Sequence, residues 1–314
     1  MKKILINNEI AVAVILIGFL LLLSISAGCT QSATNPQISS PATGTVPVTV
    51  PTTPAAQTTT AAPTAIATTP RPVYTPSSGN VIAFTAASLS GASNSIASAF
   101  TNASPGHTVT FNLDGTQALK TQVESGAYAD DFISASNSYT TALKNEGYFV
   151  NDSVKTLTTN YVVVILPASN PGKITSLADL SKPGIKIAMA ANAVPVGTAT
   201  TAVLNNLANS TYNQSWENAT IGNVVTYETS EPAVATKVQL GAVDAGFVYQ
   251  STATAAPNGT YLVLTIPKKD NYLQTYTIGV LNESTNKDVA MQFEQFMLSQ
   301  AGQNILQKYG FLPP

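Results

Sequence analysis

The stretch Tyr161–Pro167, YVVVILP, carries no polar side chain from Val162 to Leu166. A strand with one face in water alternates apolar and polar residues, so an unbroken β-branched run is a strand covered on both faces. GIKIAMA (Gly184–Ala190) reads the same way, and DAGFVY (Asp244–Tyr249), VIAFTA (Val81–Ala86), HTVTFNL (His107–Leu113) and DFISA (Asp131–Ala135) are further strands. Helical patterns lie between them. Leu89, Ala92, Ile96, Ala99 and Phe100 recur at helical spacing, and Thr116–Ser125 is a short helix stopped by Gly126. Another helix runs from about Thr198 to Ala208, and EPAVATKVQLG opens at Glu231 with Pro232 at the first helical position and closes at Gly241. The segment from Lys287 to the C-terminus holds one or two amphipathic helices. This alternation predicts an α/β fold with mostly parallel sheets.

The pattern begins only at about Gly79. Ahead of it, Lys2 and Lys3 precede an apolar run, Ala11–Leu23, and then SISAGC, which ends at the sole cysteine, Cys29. A basic start, a short apolar segment and small residues before a cut site mark an export signal, and the run is shorter than the ~20 residues of a spanning helix. SISAGC resembles the lipobox of exported lipoproteins, with Ser26 where leucine is usual. The expectation is a signal peptide over residues 1–28, a lipid on Cys29, and anchoring to the outer face of the cytoplasmic membrane. Residues 29–78 are rich in Thr, Pro and Ala with almost no charge, a composition that cannot bury enough surface to order itself, and they read as a tether. With 10% charged residues, a net charge of −2 and no basic runs, the chain lacks the footprint of a nucleic-acid binder.

Four strand-to-helix junctions share one form: TAASLSG around Ser88, NLDGTQA around Thr116, NAVPVGT around Val196 and TSEPAVA around Glu231. Each joins small residues and a hydroxyl or exposed amide to a helix start. A helix start presents free N–H groups and the positive end of a dipole, so it binds anions without lysine or arginine. Taken singly, such a residue is ordinarily a plain N-cap; their joint occurrence carries the argument. No enzyme is expected. His107 is the only histidine, no G-x-S-x-G surrounds a serine, and the neighbouring Asp130 and Asp131 point to opposite faces of a strand.

The segments AASL, ALKTQVESGAYADDFISAS, NAVPVG, KVQLGAVDAGFVYQSTA and ILQKYGF resemble, in order, the substrate-binding proteins of molybdate ABC transporters, with GAYADDFISAS and GAVDAGFVY the closest. The resemblance implies a bilobed periplasmic-binding-protein fold, type II-like, with two α/β lobes joined by a two-strand hinge. Lobe I would comprise residues 79–160 and 277–314 and lobe II residues 161–276, with crossings near Tyr161 and Tyr276. It also implies a ligand, molybdate or tungstate, with no cofactor and no metal beyond that oxyanion, and it implies an ABC permease as partner of a monomeric receptor. The implied contacts are the hydroxyl and amide of Ser88, the hydroxyl of Thr116 (usually serine), the amides of Val196 and Glu231, and the phenol of Tyr249. Glu231 is the departure, because a carboxylate beside a dianion repels it. Its side chain is expected to point outward or to cap its helix, the alternative being direct coordination of the metal centre. Two other functions stay open: a receptor for tungstate or another oxyanion, and a tethered surface module without a transport role.

Overall fold

The computed structural model describes residues 77–314. The signal peptide, Cys29 and nearly all of the tether lie outside the described residues. The first part of the chain gives β1 (Asn80–Ala86), a 3₁₀ turn (Ala87–Leu89), α1 (Ser90–Ala103), β2 (Thr108–Asp114), α2 (Thr116–Glu124), β3 (Asp131–Ser134) and α3 (Asn137–Asn145). A long strand, β4 (Lys155–Pro167), leads to β5 (Ile187–Ala190), α4 (Pro195–Ser210), α5 (Gln214–Gly222), β6 (Val224–Glu228), α6 (Glu231–Gln239), β7 (Ala245–Tyr249), α7 (Gln250–Ala255) and β8 (Tyr261–Thr265). The chain returns through β9 (Leu273–Val280) and ends in α8 (Lys287–Leu298) and α9 (Gln300–Lys308).

The strands follow the order β2-β1-β3-β9-β4-β7-β5-β6, with β8 also on β4. β4 changes partners along its length: Lys155–Tyr161 pairs with β9, whereas Val162–Ile165 pairs with β7 and Val163–Pro167 with β8. It therefore leaves one lobe and enters the other within a single strand, and β9 runs beside it in the opposite direction. The sheets are less parallel than the sequence suggests. β1 pairs parallel with β2 and β3, and β5 with β6 and β7, but every pairing of β4 and β9 is antiparallel. A chain that crosses between lobes and comes back must reverse direction, and apolar runs do not record direction.

β1 shows how burial on both faces arises. Val81 and Ala83 enter the large core that α1 and α8 cover, while Ile82 and Phe84 enter a second core with Leu119, Phe132 and Phe149. On the first face the Phe100 and Phe293 rings meet edge to face at 5.1 Å. Two helices begin earlier than the sequence suggests. α4 starts at Pro195 rather than near Thr198, since a proline lacks only an N–H that a first-turn position leaves unpaired anyway. α6 takes Glu231 as its first residue and Pro232 as its second.

Asp130 and Asp131 differ as opposite faces of a strand should. Asp130 accepts from the Ile82 amide at 2.8 Å and from the Ser284 hydroxyl at 2.6 Å. Asp131 is fully buried and neither carboxyl oxygen has a hydrogen-bond partner. Burial, with Glu294 and Asp130 nearby, holds its pKa well above the usual range. Its stabilising contribution is present in full below the unfolded carboxyl pKa and is lost as pH rises through the raised value. Asp131→Asn, which keeps the size, is therefore expected to stabilise the fold by about 1–3 kcal/mol at pH 8 and far less at pH 5. Urea unfolding at both pH values measures this, and an equal effect at both would overturn it.

Candidate functional site

Four helix starts converge on one cavity of about 20 Å³ between the lobes. It is lined by Ser88 at the 3₁₀ turn before α1, by Gly115 and Thr116 at the start of α2, by Val196 in the first turn of α4 and by Glu231 at the start of α6. Ala135, at the end of β3, and Tyr249, at the end of β7, complete the wall. The five residues singled out from the sequence thus meet, although 161 residues separate Ser88 from Tyr249 in the chain. First-turn amides have no partner within their own helix, so the starts of α2, α4 and α6 aim free N–H groups and dipole ends at the same point. No lysine, arginine or histidine lines the cavity.

The hydroxyls carry second bonds that fix them. Ser88 Oγ lies 2.8 Å from Tyr276 Oη, and Thr116 Oγ1 accepts from the Ala135 amide at 3.1 Å. A hydroxyl that accepts one bond keeps its proton to donate elsewhere. Tyr249 departs from its expected role, because its hydroxyl donates to Gln274 Oε1 at 3.1 Å. Its phenol reaches a ligand only by giving up that bond. Burial raises the pKa of Tyr249 and of Tyr276 well above the usual value, so both keep their protons.

Glu231 does not point outward. It is 3% exposed, and its Oε1 accepts from the Tyr249 amide at 2.7 Å and the Thr252 hydroxyl at 2.8 Å. The carboxyl therefore caps the start of α7 rather than that of its own helix. α6 packs against β7, which brings the side chain to the Tyr249 amide at the end of that strand. Burial pushes its pKa up to about 7, against the two hydrogen bonds, which favour the charged form.

Residues 81–312 match the family described as bacterial extracellular solute-binding protein. The chain belongs to that family. A curated relative, the molybdate-binding protein ModA of Mycobacterium tuberculosis, is 33% identical over 214 residues, spanning 67% of this chain and 76% of its own. The substrate-binding domain of a putative molybdenum ABC transporter from Clostridium difficile superposes with a TM-score of 0.58 at 29% identity, covering 75% of this chain and 99% of that one. The periplasmic molybdate-binding protein of Azotobacter vinelandii shares the fold, with a TM-score of 0.65 at 22% identity, over 74% of this chain and 99% of its own.

In this solute-binding protein the lining residues rest on a buried polar layer that sequence reasoning missed. Asn160 Nδ2 donates to Ser251 Oγ at 2.8 Å, and Tyr276 is bonded to both Asn160 and Ser88. When Tyr276 donates to Ser88, the Ser88 proton is free for the cavity. The sequence places Tyr276 only near a hinge crossing. Its partnership with Ser88, 188 residues away, leaves no local signal beyond the Gln274–Tyr276 alternation that puts both side chains on one face of β9.

Proposed function

We propose that this protein is an extracytoplasmic molybdate receptor that delivers its oxyanion to an ABC importer. The observation that carries this reading is the convergence of four helix starts on a small cavity without a cation. Neutral N–H and O–H donors hold a dianion well when water is excluded, and they are short and strong when the acceptor is charged. At about 20 Å³, room for roughly one water, the cavity is far smaller than the ~300–1,000 Å³ of pockets for organic ligands, which favours a small inorganic ion. The relatives' names supply molybdate as the ion. Binding without catalysis fits Ser88, whose hydroxyl faces the phenol of Tyr276 rather than a base. A lipid on Cys29 and docking on a permease belong to the same proposal, the first resting on SISAGC.

The test is thermal unfolding with molybdate, tungstate, sulfate and phosphate added separately. A ligand at ~100 times its Kd stabilises the fold by roughly 2.7 kcal/mol. A rise with molybdate and tungstate but not sulfate is expected. No rise with any oxyanion would overturn the receptor and favour a surface module.

A further inference from the structure

Two hydrogen bonds cross the cleft outside the cavity. Tyr139 Oη, in the first turn of α3, donates to the carbonyl of Ala193 at 2.7 Å. Gln117 Nε2, in the first turn of α2, donates to the carbonyl of Thr229 at 2.9 Å. In both cases the donor belongs to the lobe of β1–β3 and the acceptor to the lobe of β5–β8. The acceptors occupy matching places: Ala193 lies two residues before Pro195, the first residue of α4, and Thr229 two residues before Glu231, the first residue of α6. These are the two helices that bring cavity-facing amides from the second lobe. The donors are placed with equal economy. Gln117 directly follows Thr116, and Tyr139 stands four residues beyond Ala135, both of them cavity-lining residues.

Gln117 folds back over Gly115, where an added Cβ would stand 2.4 Å from its Nε2 and 2.6 Å from its Oε1. Its Oε1 is buried without a partner, and the amide is thus oriented by the one bond it makes, to Thr229.

We propose that Tyr139 and Gln117 are latch residues: they touch no ligand, but they hold the loops leading into α4 and α6 against the first lobe and so set how slowly a bound oxyanion escapes. The proposal rests on the receptor reading above. Both bonds lie at the cleft rim, where water can replace them, so they break without exposing core and the lobes part. Ligand entry precedes closure and is indifferent to the latch, whereas exit requires both bonds to open. The latch therefore acts on dissociation.

The test is stopped-flow binding and release of molybdate by the full chain carrying Tyr139→Phe, Gln117→Leu or both, with intrinsic tyrosine and tryptophan fluorescence as the signal. Each loss of a hydrogen bond is expected to raise the dissociation rate by about threefold to tenfold. The association rate should stay within about twofold, and the unfolding temperature of the ligand-free protein should not change. A purely structural role would lower that temperature and leave the ratio of the two rates alone. Dissociation rates equal to wild type in the double variant overturn the latch while leaving the receptor standing. Absence of molybdate binding by the wild type overturns the receptor, and the latch with it.

Discussion

Gly197→Ala is expected to cost this protein both stability and ligand. Gly197 is the third residue of α4, and a Cβ there would stand 2.1 Å from the carbonyl oxygen of Ala191 and 2.6 Å from that of Ala190. Both obstacles are backbone at the end of β5, so neither can swing aside. The helix start must move away from the strand by roughly 1 Å, and overpacking of this kind costs about 3 kcal/mol. The same movement withdraws the Val196 amide from the cavity. Losing a hydrogen bond to a charged ligand costs ~1.5–3 kcal/mol, or roughly a 10- to 150-fold loss of affinity. Gly222→Ala is the control, since a Cβ on Gly222, the last residue of α5, meets nothing within 4 Å. Urea midpoints and titration calorimetry on the two variants check this; a Gly197→Ala protein with wild-type midpoint and affinity would remove the close-approach argument.

The second large effect is that of pH, acting through Glu231. Burial sets its pKa at about 7 against 4.5 for a free glutamate. With the folded value raised, its contribution to stability is complete below pH 4.5 and is lost as pH climbs through 7. The amount is roughly 3 kcal/mol at ~1.4 kcal/mol per pH unit. For the ligand the sign is the same. A dianion in the cavity favours the protonated acid, so binding takes up a proton above pH 7 and affinity falls by up to about tenfold per pH unit. Protonated Glu231 also turns from a source of repulsion into a neutral group with an O–H to donate. Glu231→Gln keeps an acceptor for the Tyr249 amide and the Thr252 hydroxyl but cannot ionise. Its affinity is expected to match wild type at pH 6 within about threefold and to exceed it by about tenfold at pH 8.5. The other acids with raised pKa, Asp131 and Glu294, lie on β3 and α8 and do not line the cavity. Calorimetry across this range decides the matter, and a pH-independent wild-type affinity would sink it.

How far the sequence reached can be judged residue by residue. The strand burial of YVVVILP, the helix starts at Ser88, Thr116, Val196 and Glu231, and the glycine stops at Gly126 and Gly241, with φ of +80° and +66°, are local matters. Each follows from the steric and hydrogen-bonding needs of a few adjacent residues, and motif resemblance then named the residues that gather at the cavity. The direction of β4 and β9, the inward turn of Glu231 onto Tyr249, and the pairing of Ser88 with Tyr276 are of another kind. They join groups far apart in the chain, and a side chain's partner is fixed by whichever element packs against it. The sequence by itself determined which helix ends could bind an anion. Only the tertiary structure decided that they share one cavity and that its lone acid is buried enough to titrate near neutral pH. It also decided that Tyr139 and Gln117 reach across the cleft, because burial and proximity are properties of the packed chain and of no single segment.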